Sequence, residues 1–355
     1  MTAATSSTLA EACERPDISH LPRVERFPDI VGTFMGRDAL TLIAAHLALA
    51  EDDVVLLPLY NCQDVLKTFM RTNRVVFYDV REDFTIAPEE LLSRLNVGRV
   101  KMMIIVNYFG LLQPHRDEIK SICEQRGITL IEDCAHSLLT EGSGDTGDFA
   151  IYSFRKLLPI PDGGGLKANR IAKPLVAKFH SRLYADFLST LILAKSSLNI
   201  KSNTLSRAHI MSKAKDFAPK IQPPSTESRI LPLSHFAERG MRHLSFPEII
   251  ERRRADFQFW QEFCKRRSAF SPLIPDLPPS VCPPGFPVKV KNRESLEVTA
   301  REAGIVLRVH WRLDRALGPD CRVSHDLAST TLTLPIYPEL DEKDRRVLCE
   351  ILSHA

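Results

Sequence analysis

The 355-residue chain lacks several things, and each absence narrows what it can be. No uninterrupted apolar run reaches the roughly 20 residues that a membrane-spanning helix needs. The N-terminus, MTAATSSTLAEACERPD, has no apolar stretch behind a basic start, so no secretory signal is legible. A cytoplasmic protein with no membrane association is expected. The eight cysteines, at 13, 62, 123, 134, 264, 282, 321 and 349, include no close pair. Neither a zinc pattern nor a disulfide framework follows from them, and a reducing compartment is the simplest reading. Charge of one sign is not in excess: a net +3 gives no reason to expect nucleic acid. The basic runs Arg252-Arg253-Arg254 and Lys265-Arg266-Arg267 read as solvated helix faces. With 44% hydrophobic and 26% charged residues, the composition is that of a soluble globular protein long enough for two domains.

What is present is a regular order. Residues 1 to about 34 are polar and without clear period and read as an N-terminal surface segment. From there VVLLP (54–58), RVVFYDV (74–80), VKMMIIVNYF (100–109) and ITLIED (128–133) read as strands. The stretches between them, YNCQDVLKTFM, APEELLSRL and PHRDEIKSICEQRG, read as helices. Such alternation implies an α/β fold with a mainly parallel sheet and right-handed crossovers. Ahead of the first of these strands, Ala39, Leu40, Leu42, Ile43, Leu47 and Leu49 mark a helix whose first turn contains Gly36, Arg37 and Asp38. A helix N-terminus opened by glycine can take a phosphate through free N–H groups and the helix dipole.

After the sheet, KPLVAKFHSRLYADFLSTLILA reads as a long helix, and residues 196–230 as a lid, a subunit contact or a disordered loop. ERRRADFQFWQEFCKRR is an amphipathic linking helix. FPVKV, RESLEVTAREAG, IVLRVHW, TLTLPIYP and DEKDRRVLCEIL then make a compact α+β unit. The expected division is a large domain over 35–230, and a linking helix with a smaller domain over 231–355.

The chemistry concentrates between Ile128 and Gly165. One apolar strand ends in Glu132-Asp133, the next in Ser153-Phe154-Arg155-Lys156, and a turn with Asp162 and three glycines follows. Open α/β sheets bind ligands in the crevice outside the carboxyl ends of their strands, so one carboxylate and one amine are expected to face one crevice. Each residue also has a plain structural reading. Asp133 could cap the next helix, His136 could be a packing histidine, Ser153 a strand-end cap, and Tyr60 a half-buried loop tyrosine. Arg308 and His310 read as exposed strand-edge residues.

In the order Gly36-Arg37-Asp38-Ala39-Leu40, LLPLYNC, VNYFG, IEDCAHS, SFRK and DGGG, the chain resembles the fold type I pyridoxal-phosphate enzymes. Within them it is similar to the DegT-type sugar aminotransferases. The resemblance implies a large cofactor-binding domain with a smaller C-terminal domain and a homodimer. It implies Lys156 as the Schiff-base lysine and Asp133 as partner of the pyridine nitrogen. Gly36, Arg37, Asp38 and Ser153 would be near the phosphate, Tyr60 near the ring, and His136 near the phenolic oxygen or Asp133. The implied reaction moves an amino group from an amino-acid donor, glutamate or glutamine, to the keto group of a nucleotide-linked sugar. Two departures stand out. Ser153 and Lys156 are two residues closer than in many members, and the Gly-x-Asn-x-Arg-Met block is absent, its nearest counterpart being SHFAERGMR (234–242). A sugar dehydratase, which carries histidine in place of the lysine, and a non-catalytic relative acting as a binding or assembly protein are the alternatives.

Overall fold

The computed structural model describes residues 18–171, 174–198 and 230–354. It opens with two short strands, β1 (Arg23–Val24) and β2 (Phe27–Thr33), and the helix α1 (Gly36–Leu47). Then come β3 (Val54–Pro58), α2 (Gln63–Met70), β4 (Arg74–Tyr78), α3 (Pro88–Arg94), β5 (Val100–Val106), α4 (Arg116–Arg126), β6 (Thr129–Asp133), β7 (Phe149–Ser153) and β8 (Gly164–Ala168). These eight strands form one sheet in the order β1-β2-β8-β7-β6-β5-β3-β4. The stretch from β4 to β7 is parallel. The edge through β8, β2 and β1 is antiparallel.

Burial explains which strands sit in the middle. Every residue of VVLLP in β3 is buried, as are all but one of VKMMIIV in β5, as strands covered by helices on both faces require. Helix α4 stops at Gly127, whose φ of +65° is cheap only without a side chain. The sheet is larger than the sequence pattern suggests. Residues 27–33, which fall within the stretch read as a surface segment, pair with β8 and bury Ile30, Val31 and Thr33. Phe27-Pro28-Asp29 at the start of this strand masks its alternation.

After the sheet come α5 (Arg182–Leu198), α6 (His235–Arg242) and α7 (Phe246–Lys265). The sequence reading starts the first of these helices near Lys173. Instead residues 174–181 are not helical, and Phe179 makes an isolated bridge to Ile230. The expected lid or loop over 196–230 lies almost wholly outside the described residues. Helices α6 and α7 are capped by Ser234 and Ser245, which accept from the N–H groups of Ala237 and Glu248.

The chain closes with β9 (Phe270–Pro272), β10 (Phe286–Val290), α8 (Arg293–Glu302), α9 (Arg322–Thr330), β11 (Thr331–Leu334) and α10 (Glu342–Ser353). The three strands form an antiparallel sheet in the order β11-β10-β9. The stretch IVLRVHW, read as a strand, makes only one bridge, Arg308 to Thr333.

Candidate active site

Asp133 is the last residue of β6, and Lys156 closes a 3₁₀ turn that leaves β7 directly. Because these strands are parallel neighbours, their ends open on the same side of the sheet. A narrow cleft results, lined by Gly36, Arg37, Cys62, Asp133, Ser153 and Lys156 among others. The short Ser-x-x-Lys spacing is therefore enough to bring the amine to the carboxylate.

The electrostatics of the pair follow from burial. Asp133 is 5% exposed, and its Oδ1 accepts from the Ala135 N–H at 3.0 Å. Burial pushes its carboxyl upward, against the pull of Lys156 and that N–H. Burial likewise pushes the Lys156 ammonium downward, while Asp133 opposes the shift. An amine held below its ordinary pKa is a better nucleophile and base near neutrality. The backbone of Lys156 is anchored from the linking helix: Arg253, 1% exposed, donates to the Lys156 carbonyl at 3.3 Å and to that of Pro283 at 3.0 Å.

Close backbone approach shapes the floor. A Cβ on Gly164 would sit 2.2 Å from the Met35 carbonyl carbon, so the glycine turn lies directly under the start of α1. At that helix end Asp38 folds back and accepts from the Met35 N–H at 2.9 Å. Burial raises Asp38 to about 6. Arg37 pairs with Asp64 at 2.8 Å, and both line the cleft.

His136 is buried beside the cleft. Its Nδ1 faces the Phe109 N–H at 3.4 Å, and since a backbone N–H can only donate, Nδ1 is the acceptor. The proton of the neutral ring is then on Nε2, which has no hydrogen-bond partner. Burial, then Lys156, His310 and Arg308, hold this imidazole well below its ordinary pKa. Its ring stacks on Trp311 at 5.4 Å, with His310 at 5.0 Å. His310 meets Thr333 Oγ1 at 2.8 Å and is pushed down to about 3, chiefly by burial.

Gly36, Arg37, Asp133, Ser153 and Lys156 thus share one cleft, with His136 close by and Asp38 beneath the helix end. Tyr60 is placed differently. It is fully buried among Phe84, Tyr108 and Trp311, with ring centroids 6.0, 5.7 and 5.2 Å away. Cys62, two residues on, is the side chain of that loop which lines the cleft. His310, read from the sequence as an exposed strand-edge residue, belongs with Trp311 to the surroundings of the site. Their place depends on packing of the small unit against β5 and β6, which leaves no local signal.

The donor set fits the cofactor that the resemblance implies. A lowered amine faces a buried carboxylate, a histidine N–H lacks an acceptor, and a glycine-opened helix end stands beside a serine and an arginine. One N–H of that helix end is already taken by Asp38.

Residues 29–169 match the DegT/DnrJ/EryC1/StrS aminotransferase family. Over 148 residues the chain is 29% identical to the UDP-4-amino-4,6-dideoxy-N-acetyl-beta-L-altrosamine transaminase of Campylobacter jejuni, a match covering 39% of each. Over 145 residues it is 26% identical to the GDP-perosamine synthase of Vibrio cholerae, covering 38% of each. These matches span about two fifths of the curated relatives' length. A DegT DnrJ EryC1 StrS aminotransferase from Brucella abortus superposes with a TM-score of 0.62 at 19% identity, covering 92% of this chain and 85% of that one. NtdA from Bacillus subtilis with bound cofactor PMP gives 0.62 at 16% identity, over 92% of this chain and 72% of that one. At these identities the likeness shows the fold alone, one that the chain shares with these solved structures.

Proposed function

We propose, from the premise that residues 29–169 belong to the DegT/DnrJ/EryC1/StrS aminotransferase family, that this chain is a pyridoxal-phosphate-dependent aminotransferase. Its acceptor is the keto group of a nucleotide-linked sugar, and its donor an amino acid, with glutamate the first to test. The observation that carries the reading is the pair Asp133 and Lys156 at adjacent parallel strand ends in one cleft.

When bound, the cofactor supplies an electron sink for the charge left as a proton departs the amine-bearing carbon. Lys156 is the amine that would hold it. With an ammonium weakened by burial, Lys156 is also the group that takes a proton from the substrate carbon and returns one to the far side of the C–N unit. Asp133 would pair with the ring nitrogen, and a cationic partner there would offset the cost of its own burial. His136 Nε2–H, which lacks an acceptor, would serve as the donor to the phenolic oxygen. Ser153, Arg37 and the Gly36 helix end hold the phosphate, with Asp38 fixing the shape of that turn. Tyr60 supports the wall from below and Cys62 stands beside the ring. A lysine, rather than histidine, at 156 favours amino transfer over dehydration.

Sugar nucleotides are cytoplasmic metabolites in the implied class of reaction, and we place the protein there as a homodimer. Among the described residues no helix is long and apolar enough to cross a membrane. The test is a two-substrate screen. Glutamate and keto-sugar nucleotides, offered to the cofactor-loaded protein, should give 2-oxoglutarate and an amino sugar in equal amounts. Failure with every keto sugar, together with turnover of a simple keto acid, would remove the sugar from the reading. No transfer to either would remove the activity.

A further inference from the structure

The small unit carries a second cleft, built from residues that the site above does not use. It opens between Lys291-Asn292 with the first turn of α8, the segment Arg312–Arg315, and α9, and encloses about 530 Å³. That volume is within the range of roughly 300–1,000 Å³ typical of small-molecule sites. Four cations, Lys291, Arg293, Arg312 and Arg315, line it against one acidic side chain, Glu294. Two of them are partly neutralised from below. Arg312 grips the buried Glu297 through two hydrogen bonds of 2.7 and 2.8 Å, and Arg293 Nε is 3.7 Å from the same carboxylate. Lys291 and Arg315 have no ion-pair partner among the described residues.

A further observation points to a missing acceptor. Asn292 caps α8 without a side-chain hydrogen bond, so the first-turn N–H groups stay open where Arg293, Glu294 and Ser295 line the cleft. Arg293 is 8% exposed; its Nη1 donates to the Ala328 carbonyl, while Nε makes no hydrogen bond. That Nε is shut off from solvent and directed at Glu297 beneath the cleft, so Arg293 contributes positive charge to the cleft rather than a free donor.

We propose that this cleft binds a phosphorylated anion, and that the group it suits is a diphosphate. Donors of different origin converge there: Lys291 and Arg315, which have no ion-pair partner, and a helix N-terminus. A carboxylate has too few oxygens to meet them all, and a diphosphate has enough. The inference stands whether or not the chain is an aminotransferase. The diphosphate has two possible sources, the nucleotide end of the acceptor or a separate free nucleotide.

Titration calorimetry of inorganic pyrophosphate into the full-length, cofactor-loaded protein at low ionic strength is the direct test. One equivalent should bind, with affinity falling on added salt. The double variant K291A/R315A should bind at least about tenfold more weakly. Both residues are exposed, so the variant should melt like the parent. R37Q, which alters the other anion-binding end, should bind as the parent does. No saturable binding, equal affinity in K291A/R315A, or loss in R37Q instead would overturn the proposal. Uridine diphosphate and turnover kinetics distinguish the sources. If the acceptor's own diphosphate occupies the cleft, K291A/R315A raises the acceptor KM and leaves kcat. If a separate nucleotide does, KM is unchanged and the calorimetric loss of uridine diphosphate remains.

Discussion

Asp133, at the end of the central strand β6, and Asp162, in the turn that enters β8, are both buried aspartates, and they are partnered in opposite ways. Asp162 is fully buried and accepts from the Ser189 hydroxyl, from the Ser234 hydroxyl at 2.6 Å and from the Ser234 N–H at 3.2 Å. Those bonds tie the glycine turn to α5 and to the cap of α6. Asp133 accepts from the Ala135 N–H and otherwise faces the Lys156 amine across the cleft. Burial raises both carboxyls, yet hydroxyls have spent the capacity of one and not of the other. A saturated carboxylate holds a fold, and an under-partnered one beside an amine is available for chemistry.

That contrast can be broken at four places. Lys156→Ala should have the largest effect, lowering turnover by at least about 10³-fold while the thermal melt of the apoprotein stays near the parent's. Next, Asp133→Asn should reduce kcat by about 10²-fold or more. Because Asp133 is what opposes the downward shift of Lys156, the spectroscopic titration of the lysine should move to lower pH in this variant. The melt should not fall, since a buried, under-partnered charge has been removed.

Asp162→Ala should do the reverse. It leaves the buried Ser234 hydroxyl and N–H without their acceptor, while Ser189 keeps the Ala185 carbonyl, and should cost about 2–4 kcal/mol in urea unfolding, with activity per folded molecule retained. If Asp162→Ala instead abolished turnover without loss of stability, the division between the two aspartates would be wrong.

Asp38 gives the smallest effect and a sign that can be checked. Its carboxyl is raised to about 6 from an ordinary 3.8, chiefly by burial. A folded pKa above the unfolded one means the folded state binds the proton more tightly. The stabilisation is therefore full below about pH 4 and is lost as pH rises through about 6. Asp38→Asn keeps an acceptor for the Met35 N–H without the charge. Above about pH 7 it should be more stable than the parent by about 1–3 kcal/mol, and the gap should close in acid. A parallel pH dependence in the two proteins would contradict this.

The central parallel strands were legible in the sequence where residues are buried on both sides. VVLLP, VKMMIIV and ITLIED are long apolar runs because the central parallel strands touch helices on each face. Asp133 and Lys156 were legible because strand ends position them by local geometry alone. β2 was missed because FPDIVGT buries only its second half. The helix over 182–198 began later than its composition suggests because Phe179 is held in a bridge to Ile230, a partner far along the chain. His310, Trp311 and Arg253 had no local signature for the same reason. Each reaches the site through tertiary packing, as when Arg253 grips the Lys156 carbonyl from the linking helix. Tyr60 shows the converse. An aromatic in the right loop was the natural candidate for a ring contact, yet the loop turns it into the core and leaves the smaller Cys62 on the cleft.

The most direct test of the central claim is to load the protein with pyridoxal phosphate, record the visible absorption band, reduce with borohydride and map the labelled peptide. The account predicts a band that borohydride bleaches and a pyridoxyl group on Lys156. No band, or a label on any other lysine, would contradict it.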